Sequence, residues 1–543
     1  MRISVCQLNP IVGNLEGNAH KIIHALEKAH QEKADIVVFS EMVLCGYPPE
    51  DLVLFSDFVA KMEKKVEEIL HYTKGLFVVF GLVRSNPEKE GKFLFNTAAV
   101  CIDGKLAGYK DKTLLPTYDV FNESRYFEPG KEQKVFEYKG KKIGILICED
   151  MWQHASVLPF NYHRDPVLEL KKLKPDLCIN ISASPYYFQK KDIRAEIFGK
   201  LIDTLKCPFV FCNQAGGNDS LVFDGYSMVW NEKKELLSLA KGFSDDHLVV
   251  DLQEPVYPME FPLDPYRDLY SALVLGVKDY FSKQGFTKAL LGLSGGIDSA
   301  LVACVAVDAL GPQNVIAVAM PSRFSSLSSF VDGAELAKNL RIELQDIPID
   351  HLFQAFLDLL SPSFRGKPFD EAEENLQARI RGIILMALSN KHGYIVLSTG
   401  NKSEMAMGYS TLYGDMCGGL GVLNDVSKTN VYKLSKWINR DKGIIPKSVL
   451  EKPPSAELRL NQTDQDSLPD YAIVDAVLED YVQEHLPIDE IVKKRKFDRE
   501  IVEELVEKIH RAEYKRRQGP PGIRVTKKSF SYGRRLPIVQ EWL

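Results

Sequence analysis

The chain has 543 residues, too many for a single hydrophobic core and enough for roughly two to four domains. Its composition, 45% apolar and 26% charged, is that of a soluble globular protein. A net charge of −6 argues against a general nucleic-acid binder, which needs a basic face, while leaving room for a local basic pocket that takes small anions.

The opening MRISVCQLNP enters a strand-like run at once. It has no basic segment followed by an apolar one, so no signal peptide is expected. No apolar run reaches about 18 residues, so no membrane span is expected either. The nine cysteines are scattered and include no CxxC pair, which reads as a reducing, cytoplasmic protein of mostly inert buried thiols. Further along, ADIVVFSE, LFVVFGL, TAAVCI, KIGILICED, DLCINISA and PFVFCNQ read as buried strands rich in Val, Ile and Phe. EGNAHKIIHALEKAHQEKA and FVAKMEKKVEEILHYT carry helical spacing among them. The alternation predicts an α/β domain over residues 1–250.

DLQEPVYPMEFPLDPYRDLY holds four prolines and reads as a linker, taken as residues 251–266. Residues 267–543 form a second domain. SALVLGVKDYFSKQG reads as a helix, followed by the strand of TKALLGLS, a Gly-rich turn, a helix from about Ser299, the strand NVIAVAMP and, later, YIVLSTG. That order predicts a doubly wound parallel sheet. The charged stretch EIVKKRKFDREIVEELVEKIHRAEYKRRQ reads mostly as a solvated helical face. The basic tail GPPGIRVTKKSFSYGRRLPIV has the composition of a disordered end, but its aromatic and apolar residues point to docking.

Three N-terminal segments carry chemistry. Glu41 in FSEMVLCGYPPEDL and Cys148 in GILICEDMW each follow a buried strand, and Lys112 lies in the polar loop YKDKTLLPTYDVFNESRYFEPG. Such a trio can run a nucleophilic amidase. Cys148 attacks an amide carbon, Glu41 takes the thiol proton and later activates water, and Lys112 stabilises the oxyanion. A lone cysteine at a strand end is more often structural, but CEDMW after an apolar strand, with the other two segments in order, outweighs that. The three segments resemble the nitrilase/carbon–nitrogen hydrolase superfamily, and their surroundings resemble the glutaminase half of two-domain NAD synthetases. The resemblance implies an α-β-β-α sandwich and glutamine as the amide, bound by Tyr118, Glu149, Ser184 and Lys190, the last two in SASPYYFQKK. Cys6, Cys45, Cys101, Cys178, Cys207, Cys212, Cys304 and Cys417 are left as structural.

In the second domain LGLSGGIDSA stands out. Gly295 and Gly296 permit unusual backbone angles and close approach. Free N–H groups at the turn and helix start attract an anion, and Ser294 and Ser299 add hydroxyls. The stretch lacks the Gly-Lys-Ser/Thr ending of a P-loop. A carboxylate in such a nest makes sense as a ligand for a divalent cation, because bare carboxylate and phosphate repel; this is the reading of Asp298. The stretch resembles the pyrophosphatase loop of enzymes that split ATP and leave AMP on a substrate. That resemblance implies that Gly292, Leu293, Ser294, Gly295, Gly296, Ile297, Asp298 and Ser299 hold ATP.

ENLQARIRGIILMALSN and LSTGNKSEMAMGYSTLYGDMCGG resemble NAD synthetases in particular, which implies a Rossmann-like ATP pyrophosphatase domain. By that resemblance Thr399 contacts ATP, and Glu404 shares Mg²⁺ with Asp298 near deamido-NAD. Asn375, Arg379, Asp415, Lys428 and Lys515 lie on the dinucleotide. Read from the residues alone, Lys428 and Lys515 fit solvated lysines equally well, and Arg379 an exposed helix residue.

The two resemblances combine into one reaction. ATP, the co-substrate, adenylates the pyridine carboxylate of deamido-NAD and releases pyrophosphate, with Mg²⁺ as cofactor; ammonia from L-glutamine then displaces AMP to give NAD. Only neutral NH₃ is nucleophilic, so a shielded passage is expected. The resemblance further implies a homo-oligomer through the second domain, with no nucleic-acid or membrane partner. Three alternatives remain at this level. One is another glutamine amidotransferase of the class, such as a GMP synthetase, although its glutaminase uses Cys-His-Glu. The second is a binding or regulatory protein with decayed sites, and the third is a nitrilase with an inert partner domain.

Overall fold

A computed structural model of the chain describes every residue except 89, 254–263, 461 and 543. It divides into two compact units, Met1–Asp268 and Leu269–Leu543. Most of the segment read as a linker, residues 254–263 of 251–266, therefore lies outside the described residues. On its near side a strand ends at Asp251, and on its far side a helix runs Pro265–Gln284. No helix among the described residues is long and apolar enough to cross a membrane.

The first unit stacks two six-stranded sheets. One has the order β14-β1-β2-β3-β4-β5, from β1 (Arg2–Gln7), β2 (Ile36–Phe39), β3 (Phe77–Ser85), β4 (Leu94–Ile102), β5 (Lys105–Asp111) and β14 (Asp246–Asp251). The other has the order β13-β12-β9-β8-β7-β6, from β6 (Val135–Tyr138), β7 (Lys141–Ile147), β8 (Leu177–Ser182), β9 (Phe209–Asn213), β12 (Met228–Trp230) and β13 (Leu236–Leu239). A small hairpin, β10 (Ala215–Asn218) with β11 (Leu221–Asp224), stands apart. The central strands β1-β2-β3 and β7-β8-β9 are parallel.

Side chains alternate across each strand. Ile3, Ile36 and Phe77 align in register on one sheet, Ile145, Ile179 and Val210 on the other, and all six belong to one core between the sheets. The alternate residues Leu146, Cys178, Phe209 and Phe211 face outward against Ile197, Phe198 and Leu201 of helix Lys190–Leu205. With helices Leu15–Gln31 and Ser56–Leu70 beside the first sheet, the layering is α-β-β-α. Sheets buried on both faces explain why the strands read as unbroken apolar runs.

The second unit carries a five-stranded parallel sheet in the order β17-β16-β15-β18-β19. Its strands are β15 (Ala289–Gly292), β16 (Val315–Ala319), β17 (Glu343–Asp346), β18 (Ile395–Ser398) and β19 (Leu420–Gly421). The chain winds outward from β15 in one direction and returns to place β18 on its other side, so the topological switch point lies between β15 and β18. SGGIDS follows the first of these strands and STGNKSE the second.

The charged C-terminal stretch departs from the expectation of a solvated face. Helix Arg499–Arg511 buries Val502, Leu505, Val506 and Ile509 in a core with Val474, Val477 and Leu478. The acidic and basic residues cover only its outer side, which masks a strong apolar stripe. The tail docks within the unit: Ile523, Arg524 and Val525 are buried. Asp425 accepts hydrogen bonds from the Val525 and Thr526 amides at 2.8 and 2.7 Å.

In the first unit Arg194 and Asp224 form an ion pair that is almost fully buried, and the same guanidinium holds the Ser184 carbonyl at 3.0 Å. Arg194→Met leaves the Asp224 charge buried with little compensation and is expected to cost about 3–5 kcal/mol. Hydrogen exchange at the β8, β9 and β11 amides should accelerate accordingly; unchanged protection would show that the pair is not a fastening of this unit.

Candidate active sites

The first constellation gathers where parallel strands of both sheets of the first unit end. Glu41 lies just beyond β2, Cys148 directly follows β7, and Lys112 directly follows β5. The Lys112 ammonium donates to Glu41 Oε1 at 2.8 Å and to Glu123 Oε1 at 2.7 Å. Asn96 from β4 donates to both carboxylates, at 2.7 Å to Glu41 and 3.2 Å to Glu123. The Ala183 amide beyond β8 donates to the other Glu41 oxygen at 2.8 Å. Burial disfavours the Lys112 charge, but Glu123 and Glu41 on either side outweigh that and hold the ammonium well above the usual lysine range. Glu123 is raised as well: burial and the neighbouring Glu41 lift its carboxyl, with Lys112 opposing.

Cys148 sits on a tight elbow with φ of 42°, a left-handed conformation that a non-glycine residue adopts only where the surroundings enforce it. Asp150 supplies much of that enforcement. It accepts the Ile147 amide at 3.1 Å and, with its other oxygen, the Thr113 and Leu114 amides, both at 2.9 Å. One buried carboxylate thus ties the cysteine elbow to the loop that carries Lys112. Burial and Glu41 push the Cys148 thiol up, with Lys112 opposing. The resting thiol is protonated and needs a base.

Beside the elbow, Glu149 accepts from Tyr118 at 2.9 Å and from Tyr162 at 3.1 Å. Burial raises its carboxyl to about 7, against the pull of Lys112 and the two phenols. Lys190 donates to Ser184 Oγ at 2.8 Å. Of the seven residues expected in this unit, Glu41 and Lys112 share one hydrogen-bonded group, Tyr118 and Glu149 a second, and Ser184 and Lys190 a third, with Cys148 on the elbow that Asp150 ties to the Lys112 loop. Asn96, Glu123 and Tyr162 join them without having been singled out; Glu123 stood inside the quoted Lys112 loop, where nothing marks one acidic residue over another.

The second constellation surrounds a cavity of about 300 Å³ in the second unit. Gly292 to Ser299, Thr399, Glu404, Asp415 and Lys428 all line it. Gly295 is required by geometry: its φ is +78°, and a Cβ there would lie 2.0 Å from the Ser329 carbonyl oxygen. The Lys428 ammonium lies 2.5 Å from Asp298 Oδ2 and 3.4 Å from Glu404 Oε1. Asn401 caps the helix Lys402–Met407 in a capping box with Glu404 and donates to Asp298 Oδ1 at 2.8 Å. The Asn-x-x-Glu spacing is the signal that could have found it. Burial raises the Glu404 carboxyl, with Lys428 opposing and Asp298 adding to the rise. Lys428 is buried, so the solvated-lysine alternative is excluded for it.

Asn375, Arg379 and Lys515 do not line the cavity. They brace the loop that leads to Asp415. Asn375 accepts from Thr411 Oγ1 at 2.6 Å, Arg379 donates to the Leu412 carbonyl at 3.2 Å, and Lys515 donates to the Gly408 and Ser410 carbonyls at 2.7 and 2.9 Å. Cavity-lining residues that the sequence did not single out include Arg381, Lys452, Glu457 and Asp464.

Five carboxylates and three cationic side chains line this cavity. A polyanionic nucleotide entering it needs added positive charge. Asp298 and Glu404, hard oxygen donors that already converge on one ammonium, have the chemistry to hold Mg²⁺. A surface group, Glu16, His20 and Glu68, also brings possible ligands together. There the Lys65 ammonium already occupies both carboxylates, at 2.5 and 2.6 Å.

Residues 2–259 match the carbon–nitrogen hydrolase family, and residues 269–519 match the NAD synthase family. The chain is 42% identical to the glutamine-dependent NAD(+) synthetase of Synechocystis sp., over 99% of this chain and 98% of that protein. It is 40% identical to that of Thermotoga maritima, over 100% and 99%. The solved glutamine-dependent NAD+ synthetase of Acinetobacter baumannii, in complex with adenosine diphosphate, matches with a TM-score of 0.78 at 39% identity, over 100% of this chain and 99% of that one. Likeness along the whole chain sets aside a GMP synthetase and a nitrilase with an inert partner. The chain belongs to the glutamine-dependent NAD(+) synthetases, in which a carbon–nitrogen hydrolase half and an NAD synthase half share one polypeptide.

Proposed function

We propose that this chain converts deamido-NAD to NAD with ATP and with ammonia taken from glutamine, the first unit releasing the ammonia and the second consuming it. The observation that carries the reading is the convergence of Asp298 and Glu404 on one ammonium, beside a Gly-rich loop at the sheet's switch point, where open α/β sheets bind their ligands.

In the first unit, Cys148 attacks the side-chain amide carbon of glutamine while Glu41 takes the thiol proton. Lysine has three donors. Glu41 and Glu123 engage two of the Lys112 donors, and the third serves the developing oxyanion. The carbon–nitrogen bond breaks, Glu41 returns its proton to the departing ammonia, and the thioester remains on Cys148. Glu41 then deprotonates the water that hydrolyses it to glutamate. Glu149, backed by Tyr118 and Tyr162, holds the substrate ammonium, and Ser184 with Lys190 holds the substrate carboxylate.

In the second unit, the N–H groups and hydroxyls of SGGIDS hold the pyrophosphate end of ATP, with Thr399 on the same nucleotide. Asp298 and Glu404 would hold Mg²⁺, which supplies charge neutralisation on the leaving pyrophosphate. Asn375, Arg379, Asp415 and Lys515 shape the dinucleotide side through the 408–415 loop. Ammonia passes between the sites without equilibrating with solvent, where it would be protonated. The nine unpaired thiols fit a cytoplasmic setting. Exposed Leu352, Leu359, Ile383 and Met386, on helices Asp350–Phe364 and Glu371–His392, support a subunit contact through this unit.

Cys148→Ala should lower glutamine-dependent NAD formation by roughly 10⁴-fold or more and keep synthesis from added ammonium; loss of both would overturn the division of labour. Asp298→Asn should lower synthesis from either nitrogen source by roughly 10²–10³-fold, with glutamine hydrolysis continuing. Glu149 must be ionised to hold the substrate ammonium. Its raised value, about 7, therefore predicts that kcat/KM for glutamine falls as pH drops below that point, approaching roughly tenfold per unit. Ammonia-dependent synthesis compared at a fixed concentration of neutral NH₃ should lack this limb; finding it there as well would remove Glu149 as its source.

A further inference from the structure

Three cationic side chains line the nucleotide cavity: Arg381, Lys428 and Lys452. Two are already paired. Lys428 bridges Asp298 and Glu404, and Lys452 lies 3.0 Å from Glu457. Arg381 forms no ion pair among the described residues. Its Nε donates to the Met320 carbonyl at 3.0 Å, and the other four N–H groups of its fork meet no acceptor there. Glu457, Asp415 and Asp350 act on it only at longer range, and burial lowers it to about 10, which leaves it charged at neutral pH.

Helical geometry aims it inward. Ala378, Arg381, Gly382 and Leu385 follow the i, i+3, i+4, i+7 spacing of one helix face and all line the cavity. Arg379, two residues earlier, falls off that face and bonds Leu412 instead. The Met320 carbonyl that anchors Arg381 lies just past β16. A Cβ on Gly292, at the root of SGGIDS, would sit 3.4 Å from the Met320 side chain and 3.5 Å from Leu385. Arg381 thus stands on the β16 side of the loop, across β15 from the β18 side that supplies Glu404.

The loop and the Asp298–Glu404 pair serve the pyrophosphate end of ATP, so an unpaired guanidinium at the loop's root faces the next phosphoryl group along. We propose that Arg381 contacts the α-phosphoryl group of ATP and stabilises it during transfer; this rests on the ATP reading of the cavity given above. In that transfer a carboxylate oxygen of deamido-NAD forms a bond to the α-phosphorus. The bond from that phosphorus to the bridging oxygen breaks, and pyrophosphate leaves with the electron pair. Negative charge gathers on the non-bridging α-oxygens, which the planar fork of an arginine matches two at a time. No proton is transferred, and the guanidinium stays charged throughout.

The test uses the full-length protein with added ammonium, deamido-NAD and either ATP or the two diastereomers of ATPαS. Arg381→Gln should lower kcat by roughly 100-fold or more, with Arg381→Lys intermediate because it keeps charge and loses the fork. Glutamine hydrolysis should be unchanged in both. The rate penalty for sulfur at the α-phosphorus should shrink in both variants for at least one diastereomer. A kcat within roughly threefold of wild type in Arg381→Gln overturns the proposal. So does a slower enzyme whose sulfur penalty is unchanged for both diastereomers, since Arg381 then acts on the Met320 backbone or elsewhere. If Arg381→Gln loses glutamine hydrolysis too, Arg381→Lys alone decides. Absence of NAD formation by the wild-type chain would instead overturn the underlying ATP reading.

Discussion

Lys112 lies between Glu41 and Glu123, and Lys428 between Asp298 and Glu404. Two carboxylates brought together inside a protein repel and lose hydration, a cost that a cation between them offsets. The buried lysines supply that cation. In the first unit the arrangement keeps a glutamate beside a protonated cysteine. In the second it keeps Asp298 and Glu404 together beside the Gly-rich loop. Removing either lysine leaves two neighbouring carboxylates without the cation they share, so these ammonium groups are structural and chemical at once.

Much of each fold serves to bring such trios into register. Parallel strands deliver their following residues to one end of a sheet, and in both units the chemistry follows strand ends: Cys148 after β7, Lys112 after β5, SGGIDS after β15 and STGNKSE after β18. Short polar clamps then fix the loops. Asp150 joins the cysteine elbow to the lysine loop by three amides, and Asn401 joins the Glu404 helix to Asp298. The clamps touch no reacting atom, but the geometry of the reacting atoms depends on them.

The α/β pattern and the strand positions were readable because both faces of most strands are buried, so that runs such as IVVF and GILI announce themselves; the layering came only with the resemblance. The candidate trio was readable because Glu41 and Cys148 follow buried strands and Lys112 stands in a distinctive polar segment between them. Partners inside loops were not. Glu123 and Tyr162 look like any acidic or aromatic loop residue until folding brings them to Lys112 and Glu149. Arg379 and Arg381 differ only in helical phase, and what packs on each face decides which of them lines the cavity. The C-terminal stretch misled through its outer charge: one apolar stripe at helical spacing suffices to bury a helix whose other residues are nearly all ionic.

Lys402 opens the helix that carries Glu404, and its ammonium is held by Asp425 at 2.8 Å, Thr526 Oγ1 at 2.6 Å and the Lys528 carbonyl at 2.7 Å. Two of those three acceptors come from the docked tail. The order of synthesis on the ribosome therefore matters: every residue of the first constellation has emerged and can fold long before residues 526–528 are made. The second constellation is completed only after the first. A chain cut short near its end would keep an intact glutaminase half with a loosened partner and would release ammonia that nothing captures.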